Sequence, residues 1–196
     1  MKSDMSIAVR TNIFSDLLAN ACVTNKSNDV LGLEPGINLL CEWLVQIGVK
    51  GGRLYIVGNG GSAGVAAHAV TDFFNMGKLR ATTLHESSLM TCMANDYGYE
   101  NAFARMLSQL VQTGDIVIVI SSSGKSMNIR NAAQQAAQNG SIVITLSGFD
   151  EDNPLPLMGE LNFWLDSHDY GMVEIGHQFI LHNISDRLRD KLLHNV

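Results

Sequence analysis

Twice in this chain a short apolar run stops at a loop of glycine and serine and gives way to helical spacing. "RLYIVG" (53–58) leads into "NGGSAG" and then apolar positions at helical intervals to residue 75. "DIVIVISSS" (115–123) leads into "GKS" and a second helical stretch over 126–138. Runs this short and this apolar, bounded by glycine, are strands buried on both faces. Strands that alternate with helices form a parallel sheet covered by helices. Three weaker runs, 80–85, 141–148 and 161–167, fit as further strands. Helical spacing recurs over 87–112, with a break at "NDYGYEN", and from Met172 to Leu193. Two more helices are predicted ahead of the first strand. One covers 4–24 through Ile7, Val9, Ile13, Leu17, Leu18 and Cys22; the other starts at Pro35 and runs through Ile37, Leu40, Leu44 and Ile47. The expected division is a helical arm, residues 1–50, and an α/β domain, residues 51–196.

Of the 196 residues 46% are hydrophobic and 16% charged, enough apolar side chain for a substantial core. The net charge of −6 argues against nucleic acid or an anionic membrane as partner. An anionic ligand must then be held locally, by backbone amides and a few side chains. Cys22, Cys41 and Cys92 have neither metal nor disulfide spacing and read as reduced thiols. "MKSDMSIAVRTNIF" has no apolar signal core, and no segment approaches the roughly 18 apolar residues of a membrane span. The expectation is a cytoplasmic protein.

"ISSSGKSMNI" (120–129) contains the Gly-Lys-Ser of a P-loop, but a P-loop needs glycine five positions before its Gly-Lys, and Val119 stands there. What remains is Ser121, Ser122, Ser123 and Ser126, with Lys125 as a further charge, between a buried strand and a helix. Hydroxyls and free amides at a helix N-terminus hold anions. A plain turn with Ser126 as N-cap is the simpler account, but it uses only one of four serines. "GNGGSAG" (58–64) also matches G-x-G-x-x-A. A dinucleotide site wants an acidic residue ending the second strand. Glu86 lies outside it, so nicotinamide binding is disfavoured. Two such loops at the C-terminal ends of two strands fit one small phosphorylated ligand.

His68 and Asp72, four residues apart on a helix, share a face. Such a pair can bind a metal or move a proton. On spacing alone, a histidine packed on the sheet beside a solvated Asp72 is the favoured reading. In the last helix, His177 and His182 differ by roughly 140° and serve different sites. Glu174 and His182 can share a face but lie ~12 Å apart along the axis. His85, His168 and His194 read as packing or surface residues.

"GNGGSAGVAAHAVTD", "ANDYGYENAF", "ISSSGKSMNI" and "EIGHQFILH", in this order over about residues 35–190, resemble the sedoheptulose 7-phosphate isomerase (phosphoheptose isomerase) family of sugar isomerase (SIS) domain enzymes. The resemblance implies a five-stranded parallel sheet between helices, flavodoxin-like. It implies a homotetramer with active sites at subunit interfaces and one zinc per subunit. By motif, Asn59, Gly60, Gly61, Ser62, Asn95, Asp96, Ser121, Ser122, Ser123 and Ser126 fall on the substrate-binding positions. His68, Asp72, Glu174 and His182 fall on the zinc positions, and Asp72 and His182 also on those of the base and acid. The chain departs from the family at Asp72 (usually Glu), Glu174 (usually Gln), Lys125 (usually Asn), Val65 (often Asp) and Gly171 (acidic). The base is therefore Asp72 or Glu174. The implied reaction interconverts sedoheptulose 7-phosphate and D-glycero-D-manno-heptose 7-phosphate through an enediolate. The alternative is a non-catalytic SIS tetramer that binds a protein, as the DnaA initiator-associating relatives do, or senses a sugar phosphate.

Overall fold

The computed structural model describes residues 5–194, with the side chain of His194 outside that description. Its centre is one sheet in the order β1-β6-β5-β4-β2-β3. The strands are β1 (Cys22–Asn25), β2 (Arg53–Gly58), β3 (Arg80–Thr83), β4 (Ile116–Ser121), β5 (Ile142–Gly148) and β6 (Leu161–Leu165). The five predicted strands all form and run parallel. The sixth, β1, runs antiparallel to β6, with Cys22 opposite Trp164 and Val23 opposite Phe163.

That strand corrects the helix predicted over 4–24, and the sheet has six strands where five were expected. Helix α1 covers only Ile7–Ala19. Asn20 closes it, donating its amide to the Asp16 carbonyl. Val23 and Thr24 are β-branched residues that suit a strand, and Val23 is fully buried.

Alternate residues of each strand feed two cores, as the pleat requires. Leu54, Ile56, Ile116, Ile118 and Ile120 face a layer built from α1, α2 (Leu33–Lys50), α3 (Gly61–Asn75) and α7 (Tyr170–His194). Tyr55, Val57, Val117 and Val119 face the other, where α5 (Ala102–Leu110) and α6 (Met127–Gln138) pack. Helix α2 places Leu40, Cys41 and Leu44, all fully buried, in the first core. Helix α4 (Ser87–Tyr97) contributes no buried residue to either.

Chain order reverses at β2 and β4: β3 lies on one side, β5 and β6 on the other. Open α/β sheets bind ligands at the C-terminal ends of strands flanking such a reversal. The loops after β2 and β4 are the two glycine- and serine-rich loops.

Candidate active site

The loop after β2 turns at Gly60, whose φ of 54° suits glycine, and α3 starts at Gly61. A Cβ at Gly58 would lie 2.6 Å from the Ser62 carbonyl oxygen, so glycine lets the helix fold back against its strand. The Asn59 amide donates to Asn128 Oδ1 at 2.9 Å and accepts from Asn128 Nδ2 at 2.9 Å. This reciprocal pair ties the first loop to α6. The Tyr99 hydroxyl also donates to Asn59 Oδ1, at 2.9 Å.

In the second loop the Ser121 hydroxyl donates to Ser126 Oγ at 3.4 Å. Ser126 is the N-cap of α6, yet its side chain accepts no amide hydrogen. The plain-cap account therefore fails, and the hydroxyl stays on the cleft side. Ser122 Oγ is buried and has no hydrogen-bond partner among the described residues. An orphaned buried hydroxyl at a helix entry is what a ligand oxygen would satisfy. The Lys125 ammonium pairs with Asp150 at 2.6 Å and is not among the cleft residues. It holds the Asp150 carboxyl below its usual range.

Between the loops lies a cleft of about 240 Å³ lined by Asn59, Gly60, Gly61, Ser62, Ser121, Ser122, Ser123, Ser126, Tyr170 and Glu174. Eight of the ten substrate-binding positions taken from the resemblance line it. Asn95 and Asp96 do not: both are exposed on α4, and Asn95 Nδ2 donates to Asp96 Oδ1 at 2.9 Å. That segment meets the loop through Tyr99. The Glu174 carboxylate sits against Gly61, in the space a Cβ there would fill. It thus rests at the N-terminus of α3, where the helix dipole favours an anion.

Two turns further along α7 is a second constellation. Asp72 Oδ2 lies 2.7 Å from His182 Nδ1 and 3.3 Å from His68 Nε2. The Asp72 side chain is 12% exposed, the two imidazoles about half. The contact with Asp72 makes His182 Nδ1 the donor and leaves its Nε2 free to exchange a proton. His68 is thus not simply packed on the sheet. One ligand atom each from His68, Asp72 and His182 falls within a mutual 4.8 Å, and Glu174 is not part of that cluster. Two imidazoles and a carboxylate are a donor set that suits zinc with a fourth position open.

His177 is fully buried, and its Nε2–H donates to the Ser147 carbonyl at 3.0 Å, away from both constellations. Burial pushes its pKa down to about 4. His85 bridges Thr83 Oγ1 at 2.7 Å and the Gly58 carbonyl at 2.9 Å, pinning the strand end before the first loop. Sequence reasoning missed Asn128, Tyr99 and Tyr170. Asn128 lay inside a quoted motif, as did Tyr99; nothing local marked Tyr170.

No helix among the described residues is long and apolar enough to cross a membrane. The profile of the SIS domain family matches residues 27–148. Over 166 residues, 82% of this chain and 86% of the relative, the sequence is 33% identical to a phosphoheptose isomerase of Citrifermentans bemidjiense. It is 34% identical to that of Pelobacter propionicus over 155 residues, 76% of this chain and 82% of the relative. The solved structure of a phosphoheptose isomerase from Francisella tularensis superposes with a TM-score of 0.81 at 26% identity, covering 97% of this chain and all of that one. With its fold and sequence both in agreement with these relatives, the chain belongs to the SIS-domain phosphosugar isomerases of the phosphoheptose isomerase family.

Proposed function

We propose that the chain interconverts sedoheptulose 7-phosphate and D-glycero-D-manno-heptose 7-phosphate in the cytoplasm, with Glu174 as the base. The observation that carries this reading is the placement of the Glu174 carboxylate in the same cleft as Ser121, Ser122, Ser123 and Ser126. The hydroxyls and the α6 amides grip the phosphate, and this fixes the other end of the sugar. Glu174 removes the proton from the carbon beside the carbonyl, leaving an enediolate, and returns it to the neighbouring carbon. A proton also passes between the two oxygens, a task suited to an imidazole whose second nitrogen is oriented by a carboxylate. His182 with Asp72 is such a pair. Asp72, engaged by two imidazoles, serves orientation here and Glu174 serves as base.

Zinc held by His68, Asp72 and His182 would stabilise negative charge developing on oxygen in place of the His182 proton shuttle, because an imidazole nitrogen bound to zinc carries no exchangeable proton. Glu174 and His182 are eight residues apart on one helix, ~12 Å along its axis. We infer that the site is completed between copies of the chain, with the arm of residues 1–50 contributing to the oligomer. The exposed Phe74, Ile175 and Phe179 on the same two helices support a contact there.

The test is turnover of sedoheptulose 7-phosphate. Glu174→Gln and His182→Ala are each expected to lower kcat by ~10² to 10⁴-fold. Wild-type rates in both would reject these roles. A wild-type protein that binds the sugar phosphate without turning it over would favour the sensing module.

A further inference from the structure

At the opposite end of the sheet, three cations converge without a carboxylate partner among the described residues. Lys50 ends α2, Arg53 opens β2 and Arg80 opens β3. They line a cleft of about 200 Å³ together with Gly51, Gly52, Gln112, Thr113, Gly114 and Asp115. Arg53 and Arg80 are direct partners in the parallel register, so their Cα atoms sit about 5 Å apart on neighbouring strands. Like charges placed opposite one another destabilise a sheet. Neither is paired with a carboxylate among the described residues, nor is Lys50.

The one acid of the cleft is already engaged. Asp115 is buried, and its two oxygens accept the backbone amides of Arg53 at 2.8 Å and Gln112 at 2.9 Å. It is a structural stitch between β2 and the turn before β4. The phenol of Tyr55, beside Arg53, is pushed up by burial and stays neutral. One guanidinium nitrogen of Arg80 donates to the Gly51 carbonyl at 2.9 Å, which anchors that side chain over the cleft. In a chain with 13 basic residues and a net charge of −6, three basic side chains around one cleft stand out.

We propose that this cleft is a second anion site, taking the phosphate of a small molecule between Lys50, Arg53 and Arg80. Two planar guanidinium forks and an ammonium match the geometry and charge of a phosphate group. The bound anion would also relieve the Arg53–Arg80 repulsion. The site lies a strand length, ~20 Å, from the serine loop. It does not depend on the reading of the upper cleft.

The test uses the whole protein and follows acetylation of Lys50 by mass spectrometry. Inorganic phosphate and sedoheptulose 7-phosphate are titrated separately, against potassium chloride at matched ionic strength. Phosphate is expected to protect Lys50 where chloride does not. Arg53→Gln with Arg80→Gln should raise the half-protecting concentration at least about tenfold, the scale of losing charge-assisted hydrogen bonds. Ser126→Ala, which disturbs only the upper cleft, should leave it unchanged. The more potent of the two ligands identifies the source of the phosphate. If the double variant does not fold, Arg80→Gln alone serves. Equal protection by chloride, no protection by either ligand, or protection lost in Ser126→Ala would overturn the proposal.

Discussion

Gly61 and Glu174 decide how much room the cleft has. A methyl group at Gly61 would occupy the space of the Glu174 carboxylate. Gly61→Ala is expected to displace the Glu174 carboxylate by about an ångström and, if Glu174 is the base as proposed, to lower kcat by ~10² while the protein stays folded. Steady-state kinetics beside a thermal melt separates the two effects. His177 gives the second prediction at this scale. Its folded pKa of about 4 lies below the ordinary value of 6.5. The unfolded chain therefore takes up a proton first as pH falls. Stability from the neutral imidazole is full above pH 6.5 and declines by roughly 1.4 kcal/mol per pH unit down to about pH 4. In melts across that window, His177→Gln should show a flatter pH slope than wild type, though a lower Tm at pH 7. An unchanged slope would assign the pH dependence to other groups. Spacing alone already separated His177 from His182, while Glu174 and His182 were left on one face of the helix, ~12 Å apart. Which carboxylate shares a cleft with the serines was not legible, because that contact joins α3 to α7 across more than a hundred residues.

At the level of elements, the parallel strands β2, β4, β5 and β6 stand out in the chain as apolar runs closed by glycine, serine or a polar turn, while β3, Arg-Ala-Thr-Thr, is only weakly marked. β1 does not stand out. Cys22 falls four residues after Leu18, so the helical rhythm runs on past the true end of α1. Pairing with β6, besides a single bridge of Thr24 to Val30, draws Cys22–Asn25 into a strand, and partners more than 130 positions apart leave no local signal. The contact of β1 with α2 rests on Gly36, where a Cβ would strike the Val23 side chain. Gly36→Ala is expected to cost about 1–3 kcal/mol by overpacking, read as a lower midpoint in chemical denaturation. A companion Val23→Ala should recover part of that loss. If Gly36→Ala is neutral, the contact of β1 with α2 is looser than described.

For the whole molecule, the two groups of side chains in the proposed reaction sit apart on a single chain. Glu174 faces the serine cleft, while His68, Asp72 and His182 gather near the far end of α3. Helix α4 rests on the second core only through the partly buried Met90 and Met93, and Tyr97, Tyr99 and Leu89 around it are exposed. If copies assemble so that one supplies the carboxylate and another the imidazole, two dead variants should rescue each other. Mixing Glu174→Gln with His182→Ala after subunit exchange is expected to restore about a quarter of wild-type activity, the fraction of sites drawing an intact residue from each neighbour. No recovery, with mixed oligomers verified by native mass spectrometry, would place the complete site within one chain.

One helix, α7, carries Glu174, His177, His182 and Arg187 along 25 residues, a rod ~37 Å long. Such a rod tilts as a unit. A lineage that reshaped the proposed sugar pocket by moving its first turn would also disturb the imidazole eight positions on, and beyond it the ion pair of Arg187 with Glu34 on α2, 2.8 Å long. Substrate preference and proton-transfer geometry are therefore yoked in heredity, and changes in one should arrive together with compensating changes in the other.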